Sequence, residues 1–94
     1  MDSGSFEWDD AKAAANAERH GVTFDQARLV FRDAFALDWQ DDRYDYGEER
    51  FVTIGIAEGR VLAVAYALRG DKIRIISARG AEPHEQRRYH EDGL

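Results

Sequence analysis

The sequence contains no cysteine and only one proline. Without cysteine the chain has neither disulfides nor thiolate metal ligands, which fits a reducing compartment. No apolar run approaches the roughly 20 residues that a membrane helix needs. The first residues, MDSGSFEWDD, have neither the basic segment nor the apolar segment of a signal peptide. We therefore expect a soluble, cytoplasmic protein with no membrane partner.

The composition is that of a folded chain. Of the 94 residues, 44% are hydrophobic and 12% are aromatic, which argues against disorder. A chain of this length forms one modest hydrophobic core. We therefore expect a single domain over residues 1–94. Five aromatic side chains fit core positions: Trp8, Phe24, Phe31, Phe35 and Trp39.

Two short helices are predicted in the first third of the chain. The alanine-rich stretch AKAAANAERH ends at Gly21, and glycine adopts the left-handed conformation that follows many helices. Thr23 and Gln26 have the spacing of a capping box, and apolar residues recur after them at helical intervals. The aromatic stretch FEWD at residues 6–9 precedes both helices and is predicted to contain a short strand.

Four strands and a last helix are predicted in the remainder. The strands are AFALDW, RFVTIGIA, RVLAVAYALR and KIRIISAR. The last three are joined by tight turns at Glu58-Gly59 and Gly70-Asp71, which favours an antiparallel meander. Pro83 then suits the first turn of a helix. The prediction is an α+β fold: a short strand, two helices, a four-stranded, mainly antiparallel sheet and a C-terminal helix, with the helices against one face.

The charges are unevenly distributed. The net charge is -6, yet residues 69–90 carry six Lys/Arg against three Asp/Glu. A phosphate ligand responds to the local field, so a cationic patch on an acidic protein can bind one. The alternative is a solvated surface of mixed charge.

Many residues of the chain, in order, resemble the BrnT family of toxins. In the first half these are FEWD, Lys12, Asn16, HGV at 20–22, Phe24, Ala27, Phe31 and Asp33; in the second half they are GEER at 47–50, IG at 54–55, Tyr66, Arg69-Gly70 and IRIISAR at 73–79. The chain departs from the family at Arg19, where lysine is usual, and after Glu85, where Gln86 replaces arginine.

The resemblance implies a function and a partner. It implies a fold similar to the RelE-type ribonucleases and a role as the toxin of a type II toxin–antitoxin system. Such a toxin cleaves RNA and halts translation, and it forms a hetero-oligomer with an antitoxin of the ribbon-helix-helix type, which binds DNA. No cofactor and no metal ion are expected.

Metal-independent RNA cleavage needs a base, an acid and cations that stabilise the phosphoryl oxygens. Arginine suits the last task because its planar fork matches two phosphate oxygens. The catalytic candidates are Arg69, Arg79, Glu85, Tyr89 and His20, and the candidates for RNA binding are Arg74, Arg88 and Lys72.

The spacing of these candidates limits how they combine. A hairpin turn at Gly70-Asp71 puts Arg69 and Arg79 at opposite ends of the sheet. Regular alternation puts Arg74 and Arg79 on opposite faces. Glu85, Arg88 and Tyr89 share one helix face, since they lie three and four residues apart.

Three other interpretations remain open. The helix face at Glu85 also suits a surface ion pair with Tyr89 packed in the core, and His20 also suits a hydrogen bond to the last carbonyls of its helix. The whole chain also suits a non-catalytic binding module on the same scaffold, because a fold does not fix an activity.

Overall fold

The computed structural model describes residues 2–43 and 45–92, with the side chains of residues 4–43 and 45–91. These residues form one sheet and three α-helices in an α+β fold. The strands are β1 (Asp2–Ser3), β2 (Phe6–Glu7), β3 (Leu37–Asp41), β4 (Arg50–Ala57), β5 (Arg60–Arg69) and β6 (Lys72–Gly80). The helices are α1 (Asp10–His20), α2 (Phe24–Ala27), which continues into a 3-10 turn (Arg28–Arg32), and α3 (Pro83–Asp92). No helix among the described residues is long and apolar enough to cross a membrane.

The ends of the first two helices are set by local sequence, as predicted. Gly21 ends α1 in the left-handed conformation, with φ at 67°, and its N–H donates to the Ala17 carbonyl at 2.8 Å. Thr23 and Gln26 form a reciprocal capping box: the Gln26 N–H donates to Thr23 Oγ1 at 3.0 Å, and the Thr23 N–H donates to Gln26 Oε1 at 2.9 Å. Each bond satisfies a backbone donor that the first turn of the helix leaves free.

The sheet has six strands in the order β1-β2-β6-β5-β4-β3. The antiparallel meander of the last three strands is confirmed, and β3 pairs antiparallel with β4. The prediction of a four-stranded sheet is wrong, because β1 and β2 extend it and β2 lies parallel to β6, with Phe6 opposite Ile73. The open edge of β6 has backbone groups that need partners, and the Ser5 carbonyl accepts from the Ile73 N–H at 2.8 Å.

Both faces of the sheet are packed. The larger cluster joins α2 and the 3-10 turn to one face, and includes Phe24, Val30, Leu62 and Val64. The smaller cluster, on the opposite face, consists of Ile54, Ala63, Ala81 and Tyr89. Tyr89 belongs to α3, so the prediction that all helices lie against one face is wrong. β4 and β5 carry apolar residues at successive positions, and such strands are covered on both sides.

The aromatic residues divide between core and surface. Trp8 and Phe24 are buried, with their rings 5.9 Å apart at an interplanar angle of 84°. Phe31 is half-buried and packs against Phe6 at 5.3 Å. Phe35 is 59% exposed, so its assignment to the core is wrong. Trp39 is half-buried beside the smaller cluster.

A β-bulge interrupts the pairing of β5 with β6. Ala65 lies opposite Ser77 and Tyr66 lies opposite Ile75, which leaves Ile76 as an extra residue in β6. Directly opposed residues point to the same face of a sheet. An inserted residue reverses the alternation of the bulged strand beyond it. The bulge therefore changes which residues of β6 share a face.

Helix α1 lies against the edge of β6, and the buried side chain of Asn16 holds it there. Asn16 Oδ1 accepts from the Ala78 N–H at 3.1 Å, and Asn16 Nδ2 donates to the Ala78 carbonyl at 2.8 Å. Nδ2 also donates to the Val22 carbonyl at 3.0 Å. The amide thus acts as a short strand partner where β2 has ended, and it fixes the β6 backbone next to Arg79.

Candidate functional site

One face of the sheet gathers the cations of β6. On β5, this face carries three small side chains, those of Ala63, Ala65 and Ala67. Opposite these alanines lie Arg79, Ser77 and Arg74 of β6. Lys72 lies opposite Arg69, two positions further along β5 on the same face. We call this surface the arginine face. Ala63 and Ala67 are buried and Ala65 is half-buried, so the polar side chains of β6 form the accessible part of this face.

The bulge at Ile76 brings Arg74 and Arg79 to this common face. The prediction that they point to opposite faces is wrong, because the alternation between them is not regular. Their partners on β5, Ala67 and Ala63, are four residues apart, which separates the two arginines by about 13 Å along the strand. They can therefore contact different groups of one extended ligand.

Arg79 is bound to Glu85 of α3 by two hydrogen bonds. Arg79 Nη1 donates to Glu85 Oε1 at 2.7 Å, and Nη2 donates to Oε2 at 3.1 Å. The Glu82 N–H also donates to Glu85 Oε1, at 2.8 Å. The Glu85 side chain is 11% exposed and that of Arg79 is 39% exposed. The bonds from Arg79 lower the pKa of Glu85, despite the opposing effect of burial, so Glu85 is a carboxylate at neutral pH.

A hollow of about 190 Å³ adjoins this ion pair. It is lined by Trp39, Gln40, Asp41, Asp42, Arg43, Val52, Arg79 and Glu85. Asp41 accepts from Arg43 at 2.9 and 3.0 Å and from the Tyr46 hydroxyl at 3.1 Å. The bonds from Arg43 are the main cause that lowers the pKa of Asp41 to about 2. Asp41, at the end of β3, is therefore an ionised and hydrogen-bonded carboxylate on the wall of this hollow.

Other candidate cations on the sheet are also paired. Arg74 Nη1 donates to Glu7 Oε2 of β2 at 3.0 Å, and its side chain is 25% exposed. Arg69 lies at the hairpin end of β5, opposite Lys72, and donates to Glu48 at 3.3 Å with its side chain 51% exposed. The expected separation of Arg69 from Arg79 is confirmed by the register. Arg69 and Arg79 do not meet in one site.

The three candidates on α3 turn toward the sheet but reach different partners. Glu85 binds Arg79, and the guanidinium of Arg88 lies 5.3 Å from the centre of the Trp39 ring. Tyr89 is buried, and its hydroxyl donates to Asp33 Oδ2 at 2.5 Å. That bond raises the pKa of Tyr89 to about 12. In this arrangement Tyr89 packs in the core and holds α3 to the loop before β3.

His20 lies apart from Arg79. It is in the last turn of α1, and it does not line the hollow beside Arg79. It lines a second hollow, together with Lys12, Arg19 and Ser77. His20 and Glu85 therefore line different hollows.

Two residues beside Arg79 were not predicted as part of a site. Trp39 was assigned to the core, and Arg43 was not considered. Trp39 lies on β3 opposite Val52, on the same face as Ile54 and Ala63. The sequence could have indicated this position, because the alternation in LDWQD puts Trp39 and Asp41 on one face of β3. No pattern in the loop marks Arg43.

The comparisons with known proteins identify a family. A family model with the description "Ribonuclease toxin, BrnT, of type II toxin-antitoxin system" matches residues 8–85. No curated protein matches the chain. The matched range includes Arg69, Arg74, Arg79 and Glu85. Within the described residues, no group of three or more His, Cys, Asp or Glu side chains is placed to hold a metal ion.

Proposed function

The chain belongs to the BrnT family of type II toxin–antitoxin ribonuclease toxins, and on that premise we propose that it cleaves RNA without a metal ion and thereby stops translation. We also propose that it works in the cytoplasm as a single domain of the RelE-like type. The observation that carries the proposal is Arg79, held by Glu85 on a face that also presents Arg74 and Lys72.

The guanidinium of Arg79 keeps one edge for a ligand. Its Nη1 and Nη2 atoms face Glu85, and Nη1 also lies 3.3 Å from the Gly80 carbonyl. No acceptor among the described residues contacts Nε. The edge formed by Nε and the second hydrogen of Nη2 is thus a free two-point donor, which is the geometry that matches phosphate oxygens. Arg79 is our candidate for stabilising charge on the scissile phosphate.

Glu85 is better suited to position Arg79 than to remove a proton. A general base works best with a pKa near the operating pH, whereas the pKa of Glu85 is lowered. Its two oxygens already accept three hydrogen bonds. We therefore assign Glu85 the role of a positioning residue and Tyr89 a structural role. Arg74, Lys72, Arg69 and Arg88 supply a field that attracts the RNA backbone.

The antitoxin is the expected partner of a toxin of this family. We propose that it is a ribbon-helix-helix protein and that one of its segments covers the arginine face. Complementarity requires that segment to bring carboxylates to Arg79 and Arg88, with apolar side chains for Trp39. Such a segment would block the free edge of Arg79 and so inhibit cleavage.

One observation favours a non-catalytic binding module instead. Arg69, Arg74 and Arg79 each have a carboxylate partner, in Glu48, Glu7 and Glu85 respectively. Paired arginines have a weaker external field, and the net charge of -6 repels RNA at long range. On this second hypothesis the face would bind a protein and the chain would cleave nothing.

Inducible expression of the chain, with and without its antitoxin, tests the proposal. We expect expression to arrest growth, and we expect Arg79→Ala to relieve the arrest at equal protein levels. Arg28→Ala is the matched control, because Arg28 is partly exposed and paired with Asp25 near α2. Growth that continues under the wild-type chain, or an arrest that survives Arg79→Ala unchanged, would favour the binding module.

A further inference from the structure

A second cationic surface lies around the edge of β6. A hollow of about 230 Å³ between α1 and the bulge is lined by Lys12, Ala15, Asn16, Arg19, His20, Ile76 and Ser77. The α1 residues at its wall recur three, four, seven and eight positions apart, which puts them on one side of the helix. Asn16 is buried at the centre of this wall and is bonded to β6. We call this the edge hollow.

The basic side chains of the edge hollow form no ion pairs with other described residues. Across residues 4–43 and 45–91, no carboxylate lies within 4.0 Å of Lys12, Arg19 or His20. Lys12 and Arg19 are exposed and His20 is half-buried. They differ in this from Arg69, Arg74 and Arg79.

Asp9 and Glu7 precede α1, and each has a partner of its own. Asp9 accepts from the Lys12 N–H at 3.0 Å as the cap of α1, and this bond is the main cause that lowers the pKa of Asp9. Glu7 is bound to Arg74. Neither carboxylate forms an ion pair with Lys12 or Arg19, so these two side chains supply the positive charge of the edge hollow.

The edge hollow is continuous with the arginine face through Ser77. Ser77 lies opposite Ala65, in the row between Arg74 and Arg79, and it also lines the edge hollow. The bulged residue beside it, Ile76, lines the hollow as well. A flexible anionic strand that lies across Arg79 can therefore pass over Ser77 and reach α1 without leaving a cationic surface.

We propose that the edge hollow binds the phosphate backbone of single-stranded RNA that continues from the arginine face, so that Lys12, Arg19 and His20 hold nucleotides outside the cleaved bond. This inference rests on the proposed function, since it extends the path of the same substrate. Contacts to phosphates carry no sequence information, so an edge hollow that binds the backbone raises affinity for longer RNA and adds no sequence preference. The serine hydroxyl is a further donor along the path.

Binding of uncleavable RNA of two lengths tests the inference. Fluorescence anisotropy would measure the Kd for fluorescein-labelled 2′-O-methyl oligomers of 4 and 12 nucleotides with the purified chain. For the 12-mer, loss of two phosphate contacts should make the slope of the log association constant against log salt shallower by about 1.4. At 0.1 M salt this corresponds to a Kd that is roughly 10- to 30-fold weaker. We expect that loss for the double variant Lys12→Ala/Arg19→Ala, and less than a twofold change for the 4-mer.

Arg28→Ala is again the matched control, because it also removes one cation from the helical part of the chain. Lys12 and Arg19 are exposed, so we expect the double variant to melt at the wild-type temperature. Equal Kd values and salt slopes for the wild-type chain and the double variant on the 12-mer would overturn the inference. So would a double variant that keeps its RNA affinity but loses affinity for the antitoxin, since the edge hollow would then be a protein-binding site.

Cleavage of unmodified RNA separates this inference from the proposed function. If the wild-type chain cleaves RNA and the double variant cleaves long RNA as fast as the wild type does, the edge hollow plays no part and only the inference fails. If the wild-type chain binds the 12-mer through Lys12 and Arg19 but cleaves nothing, the proposed catalysis fails and the binding path stands.

Discussion

Replacing Asn16 should destabilise the protein more than any other single change of a polar side chain on α1. The side chain is buried, and its amide makes three hydrogen bonds, of which two go to the backbone of Ala78 and one to the Val22 carbonyl. Asn16→Ala would leave the Ala78 N–H and carbonyl at the β6 edge without a partner. The same change would detach the middle of α1 from the strand that carries Arg79.

The size of the effect follows from these three bonds. A protein hydrogen bond contributes about 1 kcal/mol net, and a buried polar group left unpaired costs about 1–3 kcal/mol. Water can reach part of the β6 edge once the amide is gone, so we use the lower end of that range, about 1 kcal/mol, for each backbone group left unpaired. The free energy of unfolding should fall by about 3–4 kcal/mol, from a total of roughly 5–15 kcal/mol for a domain of ordinary stability.

Urea denaturation followed by circular dichroism measures this loss. Glu18→Ala is the matched control, because Glu18 is exposed on the same helix, and we expect it to change the free energy of unfolding by less than about 0.5 kcal/mol. Asn16→Asp should cost at least as much as Asn16→Ala at pH 7, since a carboxylate would face the two carbonyls that Nδ2 now binds. An Asn16→Ala variant within 1 kcal/mol of the wild type would refute the role given to this amide.

Three further predictions concern packing, pH and the partner. In Gly55→Ala the new methyl would lie 2.8 Å from Val30 Cγ1, so we expect a loss of about 1–3 kcal/mol and a lower Tm. The pKa of Asp41 falls from 3.8 to about 2 on folding; a lowered carboxyl pKa stabilises the protein above pH 4 and ceases to do so as pH falls to 2. Asp41→Asn should therefore cost about 1–2 kcal/mol at pH 7, and a loss in urea denaturation that stays constant between pH 7 and pH 2 would contradict the assignment. For the antitoxin, Arg79→Glu and Arg88→Glu should slow association in stopped-flow measurements, and raised salt should slow the wild type; rates indifferent to salt would exclude the arginine face and the adjoining Arg88 as the docking surface.

The parts of the fold that local sequence determines were predictable. The capping box at Thr23, the glycine stop at Gly21 and the hairpin at Gly70-Asp71 depend on residues close together in the chain, and the structure confirms each one. The partner of β2 was not predictable, because a strand of two residues has no periodicity. The face chosen by α3 was not predictable either, because β4 and β5 are apolar on both sides.

The candidate site was predicted by residue type but not by arrangement. Arg79 and Glu85 were both named, yet their ion pair requires α3 to fold back over the sheet, which no spacing reveals. Arg74 was assigned to the wrong face because IRIISAR contains no glycine or proline that would mark a bulge at Ile76.

Digestion of RNA by the purified chain, in the presence of a chelator, tests the central claim most directly. We predict that the wild type cleaves RNA with EDTA present, that Arg79→Ala reduces the rate by at least about 100-fold, as loss of a donor to developing charge does, and that Arg28→Ala leaves it unchanged. Glu85→Gln keeps a side chain of the same shape but removes the charge that holds Arg79, and we expect an intermediate rate. Cleavage that needs a metal ion, or that persists in Arg79→Ala at the wild-type rate, would contradict the account.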